Sequence, residues 1–160
     1  MSGHYVFDFD ATTEGGKELL GGKGAGLAEM TALGIPVPAG FTITTDACRD
    51  YSEAGEFPNG LDAEIDEHIA VLEDRTKKRF GDPRDPLLVS VRSGAAVSMP
   101  GMMDSILNLG LNDVAAEGLA SATGNERFAY DSYRRLIQMY GDVVDGIDGD
   151  RFERTLAAKK

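Results

Sequence analysis

One stretch, residues 87–112, constrains this chain more than any other: LLVSVRSGAAVSMPGMMDSILNLGLN. Leu87, Leu88, Val89 and Val91 are apolar and β-prone, so the stretch begins as a buried strand that Arg92 closes. Ser93, Gly94, Ala95 and Ala96 follow, and their small side chains leave room for a ligand. Pro100 fixes φ at one corner of a tight turn and Gly101 accepts a positive φ at the next, which predicts a type II turn. Leu107, Leu109 and Leu111 recur at period two, as in a return strand. An arginine at a strand end beside such a loop suits an anion. Its guanidinium presents a planar fork of donors, and the loop brings backbone N–H groups to the same place. The plainer alternative is a β-hairpin whose arginine pairs with a surface carboxylate. Met99, Met102, Met103 and, further off, Met139 are, by default, core filler.

A second anion-binding feature precedes it, GGKGAGLAEMTALG at residues 21–34. Ala25, Leu27, Ala28, Met30, Thr31 and Leu33 continue at helical spacing, Gly34 stands at the C-terminal cap, and Pro36 and Pro38 lie beyond. A glycine-rich turn therefore opens a helix with Lys23 in its first turn. A cation there opposes the helix dipole, at a cost of roughly 0.3–1 kcal/mol at an exposed site. The placement makes sense if a phosphate occupies the helix start, where backbone N–H groups already favour anions. A solvated lysine in a flexible turn is the plain alternative. The motif is not a P-loop, because Gly24 follows Lys23 where that loop needs Ser or Thr. Nor is it the dinucleotide fingerprint, whose third small residue would fall at Leu27.

The remaining elements are expected as follows. Tyr5 to Phe9 reads as a first strand, and Phe41, Ile43 and Thr45 alternate in a second. Thr45 can cap a helix over residues 46–54. Leu61, Ile65, Ile69, Leu72 and Phe80 share one face of a helix over residues 61–80, whose basic end (Lys77, Lys78, Arg79) reads as solvated. Asn112 can cap a helix over residues 113–122, and Asn125 another that runs to Tyr140 and stops at Gly141. On the latter, Phe128, Ala129, Tyr133, Leu136, Ile137 and Tyr140 share a face. Residues 151–160 form a last short helix with Phe152 and Leu156 inward. The first ~110 residues are thus mixed and the rest helical, which predicts an α+β chain with a subdomain boundary near Asn112.

Composition narrows the function. The 160 residues are 42% hydrophobic and 27% charged, as in a soluble globular protein, and no apolar run could cross a bilayer. A net charge of −11 repels nucleic acid and anionic membranes, so any bound phosphate must be held by local cations. The single Cys48 allows no internal disulfide and suits a reducing cytoplasm, and the N-terminus shows no secretory signal. His4 and His68 are too few and too isolated for a histidine metal site. Asp8, Asp10 and Asp104 are conceivable metal neighbours, though plain surface carboxylates are the simpler reading.

With both anion features in hand, residues 19–45, 89–112 and 123–144 resemble the N-terminal ATP-binding domain of the pyruvate, phosphate dikinase family. The first stretch is similar, more loosely, to phosphoenolpyruvate synthases. SMPGMMD and GNERFAYDSYRR look specific to the dikinases. The resemblance implies an ATP-grasp-like first subdomain over residues 1–112, then a small, incomplete helical subdomain over residues 113–160. It implies that Lys23 and Arg92 contact the nucleotide phosphates. Ser93 and Asp104 would bound a loop over the polyphosphate, with Gly101, Met102 and Met103 as backbone contacts. ATP is then the substrate, with Mg²⁺ ligands, phosphohistidine and pyruvate site all outside this chain, so no catalytic residue is expected within it. The implied partners are ATP or AMP and the remainder of a dikinase, with a homodimer allowed and neither nucleic acid nor membrane. Two alternatives stay open: a stand-alone dikinase-like interaction module, and a fragment of the synthase.

Overall fold

Each described strand is short, and the side chains of Thr44, Asn112, Asn125 and Asp148 each cap a helix start, while two other helices start after Gly15 and Gly60 without a side-chain cap. The structure is a computed structural model that describes residues 4–94 and 105–159. The order is β1 (Val6–Asp8), α1 (Gly16–Ala32), β2 (Phe41–Ile43), α2 (Thr45–Ala54), α3 (Leu61–Thr76), β3 (Val89–Arg92), β4 (Ser105–Leu109), α4 (Asp113–Thr123), α5 (Glu126–Val143) and α6 (Gly149–Ala157). Helices therefore combine with two small two-stranded sheets, the expected α+β class. No helix among the described residues is long and apolar enough to cross a membrane.

Contacts group the chain into two units, the first running to Lys77 and taking in Gly94 as well, the second starting at Lys78. Among the described residues only helices follow Asn112, and the β3–β4 hairpin groups with those helices.

In the first unit β1 pairs antiparallel with β2, Phe7 opposite Thr42. Val6, Ala47 and Leu61 form its buried centre, with Tyr5, Phe41 and Ile65 packed around them. One carboxylate of α3, Glu64, accepts from the N–H groups of Tyr5 at 2.8 Å and Val6 at 3.0 Å, so it satisfies donors at the edge of a two-stranded sheet. Thr44, not the expected Thr45, caps α2 and accepts from the Ala47 N–H. Helix α3 also ends earlier than expected. Lys77 adopts φ 58°, a left-handed stop, and Phe80 lies beyond the helix.

The second unit begins there. The basic run is not simply a solvated helix end: Lys78 reaches Asp85 at 2.6 Å, and the Arg79 carbonyl accepts from the Leu87 N–H at 2.7 Å. Strand β3 is less buried than its composition predicts. Leu87 is buried just ahead of it, whereas Val91 within it is 47% exposed. The return strand also breaks the period-two expectation. Val89 pairs with Leu109 but Val91 pairs with Ile106, so β4 carries one extra residue, a bulge. Asn108 takes φ 61° there, and Ile106, not Leu107, enters the core.

Ile106, Leu111, Ala115 and Leu136 make that core, bounded by Leu88, Leu109, Leu119 and Tyr133. Asn112 and Asn125 cap α4 and α5 as expected, accepting from Ala115 N–H at 2.8 Å and Phe128 N–H at 3.0 Å. On α5 only part of the expected face is inward. Ala129 and Leu136 are buried, while Phe128, Ile137 and Tyr140 are exposed. Gly141 does not end α5; it is buried within it, where a Cβ would meet the Phe152 ring of α6 at 2.6 Å.

Candidate functional site

The glycine-rich turn is built as a break inside a helix. Helix α1 starts earlier than the spacing predicts, at Gly16, and is interrupted at Gly21, where φ is 68° and ψ 173°. Only glycine adopts that conformation without strain, so Gly21 permits the kink and the kink requires a glycine there. Gly22, Lys23 and Gly24 are consequently the opening residues of a second helical segment, with Lys23 half-buried in its first turn. Amide groups at a helix start carry partial positive charge, and Lys23 adds a full one.

Gly24 is buried and sits directly against β2. A Cβ there would stand 2.8 Å from Thr42 Cγ2 and 2.9 Å from Thr42 Oγ1. Ahead of the kink, the Thr45 hydroxyl donates to the Glu18 carbonyl of α1. Neither contact follows from sequence spacing, since 18 and 27 residues separate the partners; only the unusual glycine density pointed toward close backbone approach here.

Arg92 ends β3 as expected, exposed, opposite Ser105 of β4. Its Nε donates to Ser90 Oγ at 3.4 Å, a long bond. No ion pair joins it to a carboxylate among the described residues, which do not include Asp104. Ser93 follows immediately and is exposed. The structure therefore brings Arg92 and Ser93 together at one strand end in the second unit, while Lys23 belongs to the first. Gly101, Met102, Met103 and Asp104 lie outside the described residues.

The first unit also contains a polar cluster that sequence reasoning missed. Asp8, at the end of β1, accepts from His68 Nδ1 at 2.6 Å and lies 3.3 Å from Arg75. Arg75 also reaches Asp10 at 3.1 Å. The hydrogen bond to Asp10, and then the charges of Asp10 and Asp8, hold the Arg75 guanidinium above its ordinary pKa. A guanidinium already stands between these two carboxylates, where a metal would need to sit. Among the described residues no group of three or more His, Cys, Asp or Glu side chains could hold a metal ion. The residues here do not fit a Mg²⁺ site, and Asp8 and Asp10 are ion-pair partners.

Comparison with known proteins places the glycine-rich turn in a matched region. The family model described as pyruvate phosphate dikinase, AMP/ATP-binding domain, matches residues 17–67. Pyruvate, phosphate dikinase of Giardia intestinalis is 59% identical over the whole chain. That of Clostridium symbiosum is 57% identical over 98% of it. That of Rhizobium meliloti is 53% identical over 98%. The chain covers 19%, 18% and 18% of these proteins, so it spans about a fifth of the length of the curated relatives it matches.

Proposed function

We propose that this chain, matched along its length by the N-terminal part of pyruvate, phosphate dikinases, supplies nucleotide-phosphate contacts to such an enzyme. In that reaction ATP, phosphate and pyruvate are converted to AMP, pyrophosphate and phosphoenolpyruvate through a phosphohistidine. The observation that carries the reading is the break at Gly21, which turns a lysine in mid-sequence into a lysine at a helix start. Amide groups at such a helix start favour an anion, and the matched family model is an AMP/ATP-binding domain.

Phosphoryl transfer depends mainly on positioning and charge stabilisation. Lys23 supplies a point charge beside helix-start amides. Arg92 supplies a fork that can take two phosphate oxygens at once. Ser93 and the loop that ends at Asp104, with Gly101, Met102 and Met103 in it, line the polyphosphate. On this reading the chain contributes the first half of an ATP-grasp-like site in a cytoplasmic enzyme, with Mg²⁺ ligands and phosphohistidine in the rest of that enzyme. Of the chain's two histidines, His68 is engaged by Asp8 and His4 lies 3.9 Å from Glu64.

Calorimetric titration with ATP tests this. Each charge-assisted contact contributes about 1.5–3 kcal/mol. Lys23→Ala and Arg92→Ala should therefore each weaken ATP about tenfold to a hundredfold. Equal affinity in wild type and both variants would overturn the assignment.

A further inference from the structure

We propose that Thr42 and Thr45 are positioning residues that aim the Lys23 turn, an inference that rests on the phosphate-binding reading of Lys23. A helix kinked at a glycine has no intrinsic angle between its halves, because glycine torsions are less restricted than those of any other residue. Something outside α1 must set the angle at Gly21. Two contacts do so, one on each side of the kink and each three residues from it. Before it, the Thr45 hydroxyl donates to the Glu18 carbonyl. After it, Gly24 is seated on the Thr42 side chain so closely that no Cβ fits.

Both contacts come from one short run of chain. Thr42 lies in β2, opposite Phe7 of β1. Thr44, 1% exposed, donates its N–H to the Tyr5 carbonyl at 2.8 Å and caps α2 with its hydroxyl. Thr45 is the first residue of α2. The run is thus fixed to the sheet and to a helix start, and holds the two halves of α1 as a single strut. Lys23 stands between the kink and the Thr42 seat, so its backbone direction follows from the strut. A turn held in advance loses less freedom when it takes up an anion, which raises affinity without any new contact to the ligand.

The test is an ATP titration of the chain and its variants, with thermal unfolding of each measured alongside. Gly24→Ala pushes the turn off Thr42 and should weaken ATP about tenfold or more, since a displacement on the order of 1 Å has large consequences. Adding Thr42→Ala removes the two nearest atoms that the new Cβ meets, leaving Leu20 Cβ at 3.2 Å, and should restore affinity to within about threefold, the mark of a coupled pair. Lys23→Ala should cost little in the Gly24→Ala background and its full amount again in the restored double variant. A purely structural role would leave the Lys23→Ala effect equal in all backgrounds. If Gly24→Ala does not fold, Thr45→Val, which keeps the shape and loses only the donor, carries the test and should weaken ATP several-fold. No effect of Lys23→Ala on the wild type would sink the phosphate reading itself. A normal Lys23→Ala effect, with Gly24→Ala or Thr45→Val binding as wild type or Thr42→Ala failing to restore, would overturn the positioning role alone.

Discussion

His68 donates from Nδ1 to Oδ1 of Asp8 at 2.6 Å, tying the middle of α3 to the last residue of β1 across 60 positions of sequence. Both side chains are largely buried, Asp8 17% and His68 22% exposed. A two-stranded sheet is marginal by itself, so this bond and Glu64 together secure β1 to a helix. Asp8→Ala leaves His68 and Arg75 without that acceptor and should cost about 1–3 kcal/mol. Asp10→Ala removes a more exposed partner and should cost no more than ~1 kcal/mol. Urea unfolding separates the two, and equal midpoints would mean the buried bond contributes no more than the surface one.

What could be read in advance divides along the range of the interaction. Asn112 and Asn125 were legible as caps because the bond closes within three residues, and chemistry that local is written in the sequence. Lys23 at a helix start and Arg92 at a strand end were legible for the same reason. The end of α3 was not, because Lys77 adopts a left-handed stop that any prior would assign to glycine. The inward turn of Ile106 was hidden by a bulge, which shifts a period-two pattern by one residue without changing its composition. The partners Asp8 and His68, and Gly24 and Thr42, meet only after the sheet has formed, so no spacing rule reaches them.

Two glycines should respond to alanine in opposite directions. Gly118 of α4 faces the Pro83 carbonyl so closely that a Cβ would overlap it, and backbone cannot yield as a side chain can. Gly118→Ala should cost about 1–3 kcal/mol or more through forced displacement. Gly26 of α1 has open space at its Cβ position and ordinary helical geometry. Gly26→Ala should stabilise by about 0.4–1 kcal/mol by restricting the unfolded chain. Denaturant midpoints of the two variants should move apart; movement in the same direction would show that these environments are wrongly assigned.

Acid should loosen the segment that leads into β3. The Asp82 carboxylate accepts from the N–H groups of Arg84 at 2.8 Å and Asp85 at 2.9 Å. Those bonds, to Asp85 first, hold its pKa below the ordinary value of 3.8. A depressed carboxylate binds fewer protons folded than unfolded, so its stabilisation is complete above the ordinary value. It is lost as the pH falls through the lower folded-state value. Wild type should therefore lose more stability than Asp82→Ala between about pH 5 and pH 2, measured by urea unfolding at each pH. Parallel pH profiles would show that the turn carries no proton linkage.

Asn108 decides the register on which Arg92 stands. Its φ of 61° accommodates the extra residue of β4, and its Nδ2 donates to the Ser132 carbonyl of α5 at 3.4 Å. Beyond the bulge the pairing runs Val91 to Ile106 and Arg92 to Ser105, so the bulge sets which face of the hairpin each of these residues occupies. Asparagine tolerates the left-handed region because its side chain is short and unbranched at Cβ, whereas a β-branched residue does not. Asn108→Val should cost about 1–3 kcal/mol. Asn108→Gly keeps the conformation, loses only a long hydrogen bond, and should cost less than ~1 kcal/mol. The glycine variant should also keep the full effect of Arg92→Ala on ATP affinity, because the pairing beyond the bulge is unchanged. Equal destabilisation by Val and Gly would assign the role of Asn108 to its side-chain bond, not to its backbone.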